Sequence, residues 1–178
     1  MRKSREDRIN SQRYIIEAVS LLLQEHKAQD ITVTDICKKA GVARVTFYKY
    51  YTSVFDAMRA AVEESFKDFF GKISDLNLQT DMKLIIEYAL EDLYETRKIL
   101  KNLIDTNMSG VLLQYVNHAL ESILLKQTTS TNKPSRIQFM FIAGGLFNIV
   151  LDWIEKGAKE SKESLAEQIH EVLMEIQH

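Results

Sequence analysis

The stretch TVTDICKKAGVARVTFYKYY, residues 32–51, decides the fold. A β-branched run from Ile31 to Thr34 interrupts the helix propensity of the chain before it. Thr34 is expected to cap a new helix, because its hydroxyl can accept from the N–H groups of a first turn. Asp35 suits the positive end of that helix. The helix is expected over about 35–40, and Gly41 ends it as glycine does in a left-handed position. Val42 and Ala43 fill a turn, and a further short helix is expected over about 44–51. Two short helices joined by a glycine-containing turn make a helix-turn-helix. Ile36, Ala40, Val42, Val45 and Phe47 are expected to fill the wedge between them. The second helix then turns Arg44, Thr46, Tyr48 and Lys49 outwards. Arg can read guanine edges with two hydrogen bonds, and Thr can meet a thymine methyl or a base edge. Tyr hydroxyls and Lys ammonium groups hold phosphates.

Outward from this core the chain reads as helical throughout. Ile9, Ile15, Ile16, Val19, Leu22 and Leu23 recur on one side of a helix over about 7–26. Ser53 caps a long fourth helix, about 54–73, with Asp56 as the partner in a capping box. Further helices are expected near 82–96, 97–106, 110–126, 135–156 and 162–176. A polar loop, 127–133, precedes Pro134, whose fixed φ suits a first helical turn. One Pro and six Gly in 178 residues leave few breakers, so the fold class is all-α. The expected division is a three-helix head at 1–53 and a helical body at 54–178.

Charge separates along the same line. Residues 1–51 carry ten Lys/Arg against six Asp/Glu, and the remainder carries thirteen against nineteen. A basic head on an acidic body points to a polyanionic partner for the head. The single Cys37 cannot form an internal disulfide, and no apolar run reaches the roughly 18 residues of a membrane span. Residues 139–154 come nearest but include Asn148 and Asp152. The basic N-terminus has no apolar segment behind it, so no signal peptide is expected and the cytoplasm is the default. His26, His118, His170 and His178 lack the spacing of metal ligands. Cys37 beside Lys38 and Lys39 reads as a small buried residue, with a redox-sensing thiol as the alternative. Phosphate loops and nucleophile elbows are missing from the sequence, which argues against an enzyme; no cofactor is expected.

As an ordered whole, residues 32–51 resemble the DNA-binding signature of the TetR/AcrR family of regulators. The resemblance extends over about residues 7–58. It implies a helix-turn-helix head, a helical ligand-binding body and a homodimer on a palindromic operator, released by a small-molecule effector, with repression as the family default. Position by position, it assigns DNA contact to Thr34, Lys39, Arg44, Val45, Thr46, Tyr48, Lys49 and Tyr50. One departure stands out: Val54 occupies the place where the family usually has a phosphate-contacting Lys. Losing one such contact lowers the salt slope by about 0.9. Lys38, Lys39, Lys49 and the Arg-rich N-terminus remain to support binding. The second stretch FMFIAGGLFNIVLDWIEKG (residues 139–157), with SLAEQI (164–169) after it, resembles the body of a TetR-like subgroup that includes regulators of dihydroxyacetone kinase genes.

Two features of the body carry expectations. Gly144 and Gly145 inside an apolar helix cost about 1 kcal/mol each relative to Ala, and close approach of helices in a dimer's four-helix bundle would offset this. Leu165, Ile169, Val172, Leu173 and Ile176 on the last helix suit the same bundle. Tyr88, Tyr94, Met108, Tyr115, Phe147 and Trp153 are candidates to line an effector pocket, with plain core as the alternative for each. Val54 also leaves open a co-regulator that works through another protein with weak DNA contact. A helical carrier or enzyme is the remaining alternative.

Overall fold

A computed structural model describes residues 2–77, 80–106, 108–126 and 135–176. Among them are nine α-helices and one 3-10 turn. The head comprises α1 (Arg2–Glu25), the turn Ala28–Asp30, α2 (Val33–Ala40) and α3 (Arg44–Phe47). The body comprises α4 (Val54–Lys72), α5 (Met82–Glu95), α6 (Arg97–Asp105), α7 (Ser109–Lys126), α8 (Arg136–Glu155) and α9 (Lys162–Ile176). The all-α class read from the sequence holds. The basic N-terminal run continues α1 as helix from Arg2; the side chains of residues 2–9, like the loop 127–133 and Pro134, lie outside what the structure describes.

Two apolar clusters organise the chain. The first joins Ile15, Val19 and Leu22 of α1 to Ile36, Phe47 and Tyr51 of the helix-turn-helix. It continues through Ala57, Met58, Ala61 and Val62 of α4 to Leu103, Met108 and Leu112. The head therefore shares one core with the start of α4 and with α6 and α7, across the expected boundary at residues 53 and 54. Val54 is half-buried against this cluster. Its methyl groups complete the packing at the point where the family has a phosphate-seeking Lys.

The second cluster packs Leu90 of α5 against Trp153 and Ile154 of α8 and Leu165, Ala166 and Ile169 of α9. Lys83 pairs with Glu167, and Lys162 with Glu91, across the α5–α9 contact. The apolar face of α9 is thus turned inward: Leu165 and Ile169 are buried and Leu173 packs beside them. Val172 and Met174 alone among its large apolar residues are exposed within the described part, and the Ile176 side chain lies outside it. The expectation that all five residues face a partner fails for Leu165, Ile169 and Leu173, which α5 and α8 already cover.

α8 behaves differently. Its inner face reaches both clusters, through Phe147 and through Trp153 and Ile154. Its outer face carries Ile137, Met140 and Phe141, of which Ile137 is 81% and Phe141 69% exposed. Gly144, Gly145, Asn148 and Asp152 continue the same stripe at helical spacing. A Cβ added at Gly144 or Gly145 would meet nothing within 4 Å, so neither glycine serves packing inside the chain. With 20 residues and a mean hydropathy of 1.6, α8 is long and apolar enough to cross a membrane, and only 17% of that window is buried. The sequence reading sets residues 139–154 aside as short and interrupted by Asn148 and Asp152, whereas the helix is longer at its N-terminal end and its mean hydropathy stays high with both included.

Candidate nucleic-acid interface and effector cavity

The helix-turn-helix is built by local bonds. Thr32, not Thr34, is the N-cap of α2. The Asp35 N–H donates to Thr32 Oγ1 at 3.3 Å, and the Thr32 N–H donates to Asp35 Oδ2 at 3.0 Å. A capping box needs its acid three residues after the cap, which selects Thr32 over Thr34. The Thr32 hydrogen bonds hold the Asp35 carboxyl below its ordinary pKa. Thr34 stays exposed on the first turn of α2, where a phosphate could still reach it.

Gly41 closes α2 at φ 66° and ψ 30°, with its N–H donating to the Cys37 carbonyl. The Val42 N–H donates to the same carbonyl at 3.0 Å. The surroundings of Gly41 are open, so positive φ, rather than space, requires glycine here. Cys37 is buried, and burial pushes its thiol pKa up. That disfavours the thiolate a redox sensor needs.

α3 is regular only over Arg44–Phe47; the chain then winds on through bonds from Lys49 N–H to Thr46 O (3.2 Å) and Tyr50 N–H to Phe47 O (2.9 Å). Phe47 is fully buried and anchors this segment, with Tyr48 and Tyr51 packed at its ring. Arg44, Val45, Tyr48 and Lys49 face outward; Val45 is 66% and Tyr48 52% exposed. Thr46 and Tyr50 are half-buried beside them. Val45 is therefore not part of the wedge: α3 has room to bury one residue per turn, and Phe47 takes that place. Lys39 is tied to Glu25 of α1 at 3.2 Å. A surface pair of this kind contributes about 0–1 kcal/mol, so a phosphate could displace it.

The end of α4 nearest the head is fixed by Ser53, whose Oγ accepts from the Asp56 N–H at 3.1 Å. Asp56 does not complete the box with Ser53. Its Oδ2 accepts from the Thr52 N–H at 3.0 Å, and its Oδ1 from Arg59 at 3.1 Å. These bonds, Thr52 first, lower its pKa.

One residue that sequence reasoning passed over ties head to body. Asn102, in the middle of α6, donates from Nδ2 to the carbonyls of Leu23 (2.9 Å) and His26 (2.6 Å). Its Oδ1 accepts from the Ala28 N–H at 2.8 Å. The carbonyls at the end of α1 lack partners within their own helix, and a side chain nearly eighty residues away supplies them. An Asn in mid-helix on the same side as Ile99 and Leu103 was the available signal, since amides are poor helix formers placed there for their hydrogen bonds.

Between head and body lies a cavity of about 500 Å³. All six body helices line it, and α1 contributes Ile16, Ser20, Leu23 and Gln24. Of the six residues expected there, Phe147 lines it. Met108 and Trp153 are core, and the Trp153 indole N–H is spent on the Glu160 carbonyl at 3.0 Å. Tyr94 is sandwiched by Trp153 and the Arg97 guanidinium, 3.9 Å from its ring centre. Tyr88 is 43% exposed, and the Tyr115 side chain lies outside the described residues. Helical periodicity marks an inward face but not which inward residues border a void.

Residues 80–175 match a family model for the C-terminal region of TetR-type transcriptional regulators. The chain belongs to the TetR family of transcriptional regulators. A curated relative from Lactococcus lactis, the HTH-type dhaKLM operon transcriptional activator DhaS, is 27% identical over 120 residues. That alignment covers 67% of this chain and 63% of the relative. The uncharacterised HTH-type transcriptional regulator YxbF of Bacillus subtilis is 20% identical over 168 residues, 87% of this chain and 42% of its own length. The matched region thus spans less than two thirds of either curated relative. Among solved structures, the dihydroxyacetone kinase operon activator DhaS superposes with a TM-score of 0.67 at 23% identity, over 92% of this chain and 94% of that one. The TetR-family repressor AlkX of Dietzia superposes at 0.62 with 21% identity, over 92% and 96%. These likenesses establish the TetR fold over 92% of the chain.

Proposed function

We propose that this TetR-family regulator binds a pseudo-palindromic operator as a homodimer and is released by a small-molecule effector in the cavity, acting in the cytoplasm. Residues 1–53 serve as the DNA-binding head and 54–178 as the regulatory and dimerising body. The observation that carries the reading is the outward set Arg44, Val45, Tyr48 and Lys49, presented after a turn closed by Gly41 in the left-handed region and anchored by the buried Phe47. Arg44 and Thr46 read bases; Thr34, Lys39, Tyr48, Lys49 and Tyr50 hold the backbone.

The dimer is proposed to form on the outer stripe of α8, with the exposed end of α9 at its margin. The exposed apolar residues Ile137, Met140 and Phe141 at the start of this stripe need cover. Gly144 and Gly145 open a place on it where a second backbone can approach closely. The effector is proposed to shift α4, which lines the cavity from Ala61 to Phe69 and packs in the core shared with the head from Val54 to Met58. Release requires a ligand that binds the two arrangements with different affinity. Repression is the family default, whereas the Lactococcus relative is named an activator; binding and release are common to both outcomes.

Footprinting on the DNA beside the protein's own gene tests the reading. Two protected half-sites, about 34–36 Å apart centre to centre or a multiple of this, are expected. Val54 in place of Lys favours a second reading, in which the head assembles with another protein and meets DNA weakly. An absent footprint together with a partner that still binds the Arg44→Ala variant would favour that one.

A further inference from the structure

The cavity's wall has a chemistry of its own. Its interior is aliphatic and aromatic, with Leu23, Phe66, Ile86, Leu100 and Phe147 among the lining side chains. Polar groups gather towards the exposed side, where Gln24, Glu64, Ser65 and Asp68 meet solvent and Asp92 lies beside them. The two deeper hydroxyls are already committed: Ser20 donates to the Ile16 carbonyl at 3.2 Å and Thr96 to the Asp92 carbonyl at 2.7 Å. Among the described residues, no Lys, Arg or His lines the cavity. The nearest cations stand outside the lining and are held by rim carboxylates, Lys67 by Glu64 and Lys72 by Asp92. Backbone donors are equally scarce, because the lining residues sit within helices or, at Thr96, in the turn between two, where N–H groups are bonded internally.

An anionic head entering such a site would lose its hydration and find no free N–H, and it would gain a cation only by taking Lys67 or Lys72 from its own carboxylate. It would also meet the carboxylates of Glu64, Asp68 and Asp92. A head that donates hydrogen bonds would find acceptors there, and an ammonium would gain charge-assisted ones. We propose that the cavity takes one ligand with a long hydrocarbon body and a hydrogen-bond-donating neutral or cationic head, an alkylamine or alkanol in type, and discriminates against carboxylate and phosphate amphiphiles. This rests on the effector role given to the cavity above, and a volume near 500 Å³ lies within the range of small-ligand sites.

The test is calorimetry on the full-length protein with decylamine, decanol and decanoate below their aggregation limits, with shorter and longer chains alongside. One-to-one binding of the amine and alcohol is expected, with the amine about tenfold or more tighter than the carboxylate, as one charge-assisted hydrogen bond supplies. Each added methylene should tighten binding about fourfold until the cavity is full. Leu100→Trp, which narrows the cavity, should weaken binding of all three and shorten the chain length at which affinity stops rising. Asp68→Lys, at the exposed rim, should leave the fold intact and shift preference towards decanoate. Decanoate binding as tightly as decylamine overturns the proposal, as does failure of every probe to bind. Because no DNA is present, the outcomes separate: probes that bind a protein lacking operator affinity support the ligand class and count against the regulator reading. An intact footprint with no probe binding does the reverse.

Discussion

Removing the Asn102 carboxamide should destabilise the protein out of proportion to its size. The side chain makes three hydrogen bonds of 2.6–2.9 Å, two to carbonyls at the end of α1 and one from the Ala28 N–H. Each contributes about 0.5–1.5 kcal/mol net, and the Ala28 and Leu23 bonds are partly buried, so their loss leaves groups unsatisfied. The His26 bond is exposed and belongs at the low end. Together they come to about 2–3 kcal/mol. For a domain of this length, each kcal/mol moves the melting temperature by about 2–4 °C, so Asn102→Ala should melt roughly 4–12 °C below wild type. Asn102→Asp is the sharper variant: a carboxylate keeps the shape but has no donor and turns an oxygen on two carbonyls. It should be at least as destabilising as the alanine, followed by circular dichroism on heating. If Asn102→Asp and Asn102→Ala both melt with the wild type, the latch does not join head to body. Because the latch is the direct polar tie between α6 and α1, a folded Asn102→Leu variant should also keep operator affinity while responding less to effector.

Two further outcomes follow from the same geometry. In an isolated chain, Gly144→Ala and Gly145→Ala should each raise helix stability by about 1 kcal/mol, since the added Cβ meets nothing; if these glycines admit a second α8, the double variant should instead weaken the dimer, read by light scattering across a dilution series, and an undiminished dimer would remove them from the interface. Asp35 and Asp56 have pKa values lowered by their hydrogen bonds, so the stability they add is present above the ordinary carboxylate pKa and fades as pH falls through their own lowered values. An Asp35→Asn, Asp56→Asn variant should therefore lose less stability between neutral and acid pH than the wild type in urea melts, and parallel pH profiles would show that neither carboxylate matters to the head.

The helix order and most of its boundaries were legible because apolar periodicity and caps are local signals. α5, α6, α8 and α9 end within a residue or two of where periodicity placed them. The helix-turn-helix was legible for the same reason, with Gly41 and Phe47 fixing its form within ten residues. The choice between Thr32 and Thr34 as cap was legible, since Asp35 stands three residues after Thr32, and it was missed rather than hidden. What the sequence concealed was partnership. Leu165 and Ile169 form a stripe whichever surface they meet, and it is α5 that claims them. Asn102 finds its partners some 74–79 residues away, a pairing that no local pattern encodes. The cavity is a void left by seven helices, so its lining follows from packing angles rather than from residue type.

The most direct measurement is the affinity of the purified protein for DNA from around its own gene, against unrelated DNA, across a salt series, with Arg44→Ala alongside. Arg44 is exposed on α3 and outside the core, so its loss should leave the melting curve unchanged. The predicted result is tight, sequence-selective binding that weakens as salt rises, and a loss of about 1–3 kcal/mol in the variant, mostly in selectivity. Binding that is weak, unselective and equal in the two proteins would contradict the assignment of this helix-turn-helix to operator recognition.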